Sequence, residues 1–109
     1  MANENNEMRV PDKYGTIIYN RTVFSSITRN VIADTENVEL AESSKVFRAE
    51  HITAIEENRL FINVPIRVRY NVNVSDVGAG LQEKIHETIQ YMTEYKPESI
   101  DLQVVGFIF

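Results

Sequence analysis

The two histidines, His51 and His86, are the side chains best suited to proton transfer near neutral pH. His86 begins the run His86-Glu-Thr-Ile-Gln90, in which Gln90 stands where a zinc-binding His-Glu-x-x-His helix has its second ligand. Glu83 and His86 share the Glu-x-x-His spacing of di-iron bundles, but such a site needs a second copy and further carboxylates. We therefore interpret both histidines as solvated structural residues and expect neither a metal site nor a cofactor.

A short glycine-rich run, Gly78-Ala79-Gly80, is similar to part of a loop that holds a phosphate at a helix start. Glu83 replaces the third glycine of that pattern, and Asp76 would put negative charge beside the phosphate. Close packing of a helix on a sheet explains these glycines better. No serine lies in a Gly-x-Ser-x-Gly turn, and cysteine is absent, so no nucleophile with a helper can be identified. We expect a protein that is not an enzyme and has no small-molecule substrate.

The longest pattern in the chain is an alternation of apolar and polar residues from Leu60 to Val74. The apolar residues hold the even positions: Leu60, Ile62, Val64, Ile66, Val68, Tyr70, Val72 and Val74. A period of two predicts a β-strand with one buried face and one polar face. Pro65 cannot donate a main-chain hydrogen bond, so an edge position, a bulge or a bend is expected near it.

Five further elements follow from composition and spacing. They are a strand at 15–19, a helix capped by Asn20 or Thr22 and ended near Asn37, a strand at 46–55 leading into a turn at 56–59, a helix capped by Ser75 or Asp76 and ended by Pro97, and a strand at 99–109. Residues 38–44 are interpreted as a loop and residues 1–13 as a mobile tail. The predicted fold is a single α+β domain at 14–109, ordered β-α-β-β-α-β, with two helices on one face of a mainly antiparallel sheet.

Charge and hydropathy limit the partners. The net charge of −5 repels nucleic acid at long range. The first ten residues have no apolar core of the kind found in a signal peptide, and no stretch approaches the roughly 20 apolar residues that span a bilayer. We expect a cytoplasmic protein without direct membrane insertion, and any membrane association should run through a partner.

A single-stranded RNA-binding module is the alternative interpretation, because the predicted strand order is also that of an RNA-recognition domain. Its polar strip would be Asn63, Arg67, Arg69, Asn71 and Asn73. Such a sheet needs exposed aromatic residues on the same face, and Phe61 is the only one in this strand. A solvated face or ion pairs with acidic residues is favoured for the arginines, so nucleic acid is not expected as a partner.

The end of the chain is apolar on both faces of the predicted strand, from Val105 to Phe109. A strand of this kind is typically interior to a sheet or part of a subunit contact. The predicted interaction surface therefore combines this end with the exposed polar row. Its residues are Arg67, Arg69, Asn71, Val105, Phe107 and Phe109.

Several apolar runs resemble one known family. They are Ile62-Asn-Val-Pro-Ile-Arg-Val-Arg-Tyr70, then Gln82 and Ile85, then Ile89, Met92-Thr93 and Tyr95, then Ile100, Leu102, Val104, Gly106 and Phe107, with Gly15-Thr-Ile-Ile, Val23 and Ile27 near the start. Across nearly all of 14–109 the chain resembles the alkaline shock protein family of Gram-positive bacteria, also called envelope stress response or general stress proteins. Asn37, Asn71 and Glu94 stand where that family has glycine.

The resemblance implies a non-enzymatic cytoplasmic protein linked to the cell-envelope stress response. The apolar end of the chain leads us to expect self-association or a protein partner, and the resemblance implies that in some family members a small membrane anchor protein recruits the chain to the membrane. The resemblance brings no catalytic residues to this chain.

Overall fold

The structure is a computed structural model that describes residues 6–41 and 52–109. Its elements in chain order are β1 (Glu7–Asp12), β2 (Gly15–Asn20), α1 (Arg21–Ala33), β3 (Val38–Leu40), β4 (Thr53–Glu56), β5 (Arg59–Arg69), α2 (Val74–Thr93) and β6 (Ser99–Ile108). The described residues form two helices and two sheets, a two-stranded sheet of β1 and β2 and a four-stranded sheet of β3, β4, β5 and β6. All strand pairings are antiparallel except that of β5 with β6, so the predicted α+β class is confirmed. The part of the predicted strand at 46–51 lies outside the described residues.

β5 is the central strand. Along one edge it pairs antiparallel with β3 and β4, and along the other it pairs parallel with β6. Its even residues from 60 to 68 are each 0% exposed, which confirms the predicted buried row for this stretch. We call this side of the sheet the helix-covered face and the opposite side, which carries Asn63, Arg67 and Arg69, the open face.

The two helices supply the other half of the core. The buried apolar residues are Phe24, Ile27, Val31 and Ile32 of α1 and Leu81, Ile85 and Ile89 of α2. Asn20 caps α1 as expected, since its side chain accepts a hydrogen bond from the Thr22 amide at 3.0 Å. The predicted cap of α2 was wrong, because Asn73 rather than Ser75 or Asp76 provides the acceptor, for the Asp76 amide at 2.9 Å.

The expected mobile tail was wrong for Glu7–Asp12, which form β1. This strand pairs with β2 in a hairpin that places Met8 opposite Tyr19, and the Met8 side chain is 0% exposed in the core. Asn58 fastens the hairpin to the β4–β5 turn. Its side chain accepts from the Arg9 amide at 2.8 Å and donates to the Arg9 carbonyl at 2.9 Å. The ordering of β1 therefore comes from tertiary contacts.

The predicted loop at 38–44 was wrong for its first residues, since Val38–Leu40 form β3. Val38 pairs with Val68 and Leu40 with Ile66, so both join the helix-covered face. A strand this short gains its order from its neighbour rather than from its own pattern.

β5 ends earlier than the alternation predicted. The strand stops at Arg69, and Tyr70, expected in the buried row, is 60% exposed. Asn71 follows with φ 77°, a left-handed conformation that turns the chain toward α2. The apolar period beyond Arg69 therefore continues through a turn, where Val72 and Val74 pack only against the border of the core.

Asn37, Asn71 and Glu94, the positions at which the resemblance led us to expect glycine, all adopt positive φ: 70°, 77° and 58°. Glu94 caps the C-terminus of α2, and its amide donates to the Gln90 carbonyl at 2.8 Å. The backbone at these positions thus takes the left-handed shape for which glycine is the least strained residue.

Candidate interaction surface

β6 is a ten-residue strand that is paired along one edge. It runs parallel to β5, and no second strand of the described chain pairs with it. Its register shifts by one residue where Ile66 pairs with Val104 but Arg67 pairs with Gly106, which leaves Val105 as a bulge. The expectation of an edge position, a bulge or a bend of the long strand at Pro65 was wrong, because β5 is the central strand and continues through Pro65, which pairs in register with Gln103. The bulge lies instead in β6.

The end of β6 carries an exposed group of rings that we call the aromatic cluster: Tyr70, Phe107 and Phe109. The ring centroids of Tyr70 lie 6.4 Å from Phe107 and 5.3 Å from Phe109, and those of the two phenylalanines lie 6.3 Å apart. The exposed fractions are 60% for Tyr70, 47% for Phe107 and 92% for Phe109. Val104 and Val105, beside the cluster in sequence, are also exposed. The rings therefore contact one another in edge-to-face and tilted arrangements and still leave apolar area in water.

Tyr70 is the member of this cluster that sequence reasoning missed. Its place in the alternating row suggested the core, whereas the backbone turn at Asn71 carries it past the last covered position. The usable signal was Asn71 itself, since asparagine is one of the few residues that readily takes a positive φ.

The polar half of the predicted surface lies beside the aromatic cluster, on the open face and in the turn after β5. Arg67 is on the open face, with Nη1 3.6 Å from a carboxylate oxygen of Glu39, and the Arg69 Nε donates to the Asn37 side chain at 3.2 Å. Asn71 belongs to the turn rather than the strand. The structure thus brings Phe107 and Phe109 together but holds the two arginines in contacts with the β3 segment.

The polar strip considered for RNA is shorter than the sequence suggested. Asn73 uses its side chain to cap α2, and Asn71 lies beyond the end of β5. Asn63, Arg67 and Arg69 remain on the open face, beside the half-buried ring of Phe61.

His86 is half-exposed on α2, in an open groove of about 400 Å³ that is also lined by Glu83 and Glu98. His51 lies outside the described residues. Within 6–41 and 52–109, the His, Asp and Glu side chains form no group of three or more that could hold a metal ion. Of the glycines at the start of α2, Gly78 packs near Leu102, where an added Cβ would lie 3.7 Å away, while Gly80 faces open space.

Tyr95 joins α2 to the start of β5. Its hydroxyl oxygen accepts a hydrogen bond from the Leu60 amide at 2.9 Å. Burial raises the pKa of Tyr95 above its ordinary value, and the carboxylate of Glu98 raises it further, while the Leu60 hydrogen bond and the charge of Arg59 act in the opposite direction. This hydrogen bond holds the residues after α2 against the start of β5, and the phenol stays neutral at physiological pH.

In the described part of the chain, neither helix combines the length and the hydropathy needed to cross a bilayer. A comparison with curated proteins finds no significant match, and a comparison with solved structures finds none either.

A comparison with family models gives one match, which covers residues 51–109, more than half of the chain. The matched region includes β4, β5, α2 and β6, and with them the aromatic cluster. It does not extend to residues 14–50, where the resemblance had rested on Gly15, Val23 and Ile27. The chain belongs to the alkaline shock protein 23 family, which is described as having a cell envelope-related function.

Proposed function

We propose that this protein serves the cell-envelope stress response as a non-enzymatic module that acts through protein–protein contacts, with the aromatic cluster and the free edge of β6 as its contact surface. The proposal rests on the exposure of three rings that contact one another, beside a strand edge that pairs with no other strand of the described residues. Contiguous exposed apolar area of this kind typically marks a surface that another molecule covers.

The chemistry of the surface favours a protein as the occupant. A strand edge offers main-chain amides and carbonyls to another strand, and the adjacent rings offer apolar area. The net charge of −5 opposes a polyanion, and Arg67 and Arg69 already bond within the molecule. Arg67, Arg69 and Asn71 stay a predicted contact row at the margin of this surface.

In this proposal the protein works in the cytoplasm, and it reaches the membrane through a protein partner, as the family resemblance implies. The proposal assigns no substrate and no cofactor.

Complementation of a deletion strain under envelope stress tests the role of the surface. Phe109→Ser removes the most exposed ring and should lose most of the rescue given by the wild-type chain. Tyr91→Ser is the matched control, since Tyr91 is 88% exposed on α2, away from the cluster, and should rescue fully. Equal rescue by both variants, at equal protein levels, would exclude the aromatic cluster as the working surface.

A further inference from the structure

We propose that the occupant of the β6 edge is a second copy of this chain, and that the two β6 strands pair antiparallel about a two-fold axis to form one continuous sheet. This inference rests on the proposed function, because it names the partner of the same surface. The grounds are the chemistry of the free edge, the direction of its main-chain groups and the register that the bulge imposes.

The free edge of β6 lacks the side chains that usually protect an edge strand. Exposed edges are normally short, carry lysine, proline or inward-pointing charge, or are bent by a bulge, and of these features β6 has only the bulge at Val105. β6 has ten residues without lysine, arginine or proline, and its one charged side chain is Asp101, near the start. From Leu102 to Phe109 no side chain is charged. Two copies of an acidic chain can therefore meet here without placing like charges together.

Main-chain hydrogen bonds show which β6 residues point away from β5. The Ile108 carbonyl accepts from the Tyr70 amide at 2.8 Å, so the main-chain groups of Ile108 point toward β5. The main-chain groups of its neighbours, Phe107 and Phe109, therefore point to the free edge. The Ile100 carbonyl accepts instead from the side-chain amide of Gln82 at 2.8 Å. The α2 side chain thus covers the beginning of the free edge and leaves it open from Leu102 onward.

The bulge at Val105 selects the register. Leu102 and Val104 share the helix-covered face with Val64 and Ile66, and after the bulge Phe107 shares that face with Val68. Two conditions apply to residues that lie directly opposite each other in an antiparallel pair. Their side chains lie on the same face of the sheet, and their main-chain groups either both point to the other strand or both point away from it. Val104 opposite Phe107 of the second copy satisfies both conditions.

The same register places Leu102 opposite Phe109 of the second copy, and Gln103 opposite Ile108 on the open face. Residues 102–109 of the two chains then overlap fully and form about eight main-chain hydrogen bonds. Leu102, Val104, Phe107 and Phe109 of both copies make one apolar row across the seam. Asp101 of each copy stays outside the paired segment.

The contact is small. Each copy contributes residues 102–109, which is fewer than the roughly 20–30 residues a side of a standard interface. Dimerisation should therefore depend on concentration, with a dissociation constant in the micromolar range.

Sedimentation velocity of the full chain from about 1 µM to about 500 µM tests for the dimer. The wild-type protein should shift from monomer to dimer across this range. Val104→Lys places a charge at the centre of the seam and should weaken dimerisation about tenfold or more. Tyr91→Lys is the charge-matched control on α2 and should behave as wild type. A wild-type monomer throughout, or equal dimerisation by both variants, would overturn the inference.

Disulfide trapping tests the register, and the chain has no cysteine of its own to interfere. Gln103→Cys and Ile108→Cys occupy a directly opposite, non-hydrogen-bonded pair, in which the side chains approach most closely. Under mild oxidation a mixture of the two single variants should form a disulfide-linked dimer in greater yield than either variant alone. Equal yields would refute this register.

The two proposals fail in different ways. If the wild-type chain stays monomeric while Phe109→Ser still loses rescue in the cell, the surface binds a different protein and the second-copy inference is wrong. If Val104→Lys abolishes the dimer while Phe109→Ser rescues fully, the dimer exists but the proposed use of the aromatic cluster is wrong.

Discussion

Replacing Glu94 with glycine should stabilise the protein by about 0.5–1 kcal/mol. Glu94 ends α2 at φ 58° and ψ 17°, a left-handed conformation that costs a residue with a side chain about 1–2 kcal/mol. Glycine removes that cost but loses about 0.5–1 kcal/mol more backbone entropy on folding. Replacing Glu94 also removes a carboxylate from the negative end of the α2 dipole, which should add about 0.3 kcal/mol to the stability of the variant.

Urea unfolding with parallel thermal melts measures the difference, which should appear as a rise in Tm of about 2–5 °C. Two variants separate backbone strain from loss of the side chain. Glu94→Ala keeps the strained φ and should lie within about 0.5 kcal/mol of wild type. Glu87→Gly removes the same exposed side chain from the middle of α2 and should destabilise by about 1 kcal/mol. If Glu94→Gly has the same stability as Glu94→Ala, or is destabilised as Glu87→Gly is, backbone strain at Glu94 is not the cause.

Three other substitutions test the core, the buried phenol and the cap of α2. Ile62→Ala should cost about 2–5 kcal/mol in urea unfolding because it leaves a cavity in the core. Asn63→Ala, which changes the exposed neighbour, should stay within about 0.5 kcal/mol, and equal losses would contradict the assignment of faces. Tyr95→Phe should cost about 1–3 kcal/mol at neutral pH, since the Leu60 amide loses its acceptor. The raised pKa of Tyr95 means that the folded chain holds the phenol proton more tightly than the unfolded chain does. This contribution to wild-type stability should be fully present below about pH 10 and be lost as the pH rises beyond it. Urea unfolding in a pH series should therefore show a smaller loss of stability for Tyr95→Phe than for wild type, and parallel curves would refute the reasoning. Asn73→Ala should cost about 1 kcal/mol and lower helical circular dichroism near Tm, and no change would show that the cap does not hold the helix start.

The sequence was most informative where one face of an element is buried by another. Ile62, Val64 and Ile66 alternate because a single residue slip would put them in water, so the strand could be predicted with its buried face. The same pattern failed at Tyr70, since a period of two does not record where the backbone stops being a strand. Only the positive φ at Asn71 marks that point.

Elements held by distant partners could not be read from local pattern. β3 is three residues long and owes its order to Val68 and Ile66, and β1 is ordered by β2 and by Asn58. The parallel pairing of β5 with β6 was within reach, because a strand joined to the next by a helix commonly runs parallel to it. The aromatic cluster was predicted at Phe107 and Phe109 but not at Tyr70, which approaches them only once the strands are paired.

The two hydrogen bonds between the Asn58 side chain and the Arg9 backbone join residues on either side of residue 51, at which the family match begins. Met8 and Phe24 lie before residue 51 but fill the same core as Leu60 and Ile85. A fragment cut at residue 51 would therefore have its central strand stripped of one helix and should not fold alone. The part of the chain that folds as one cooperative unit is therefore longer than the segment that matches the family. Substitutions at core positions in the first half should destabilise the second half as well.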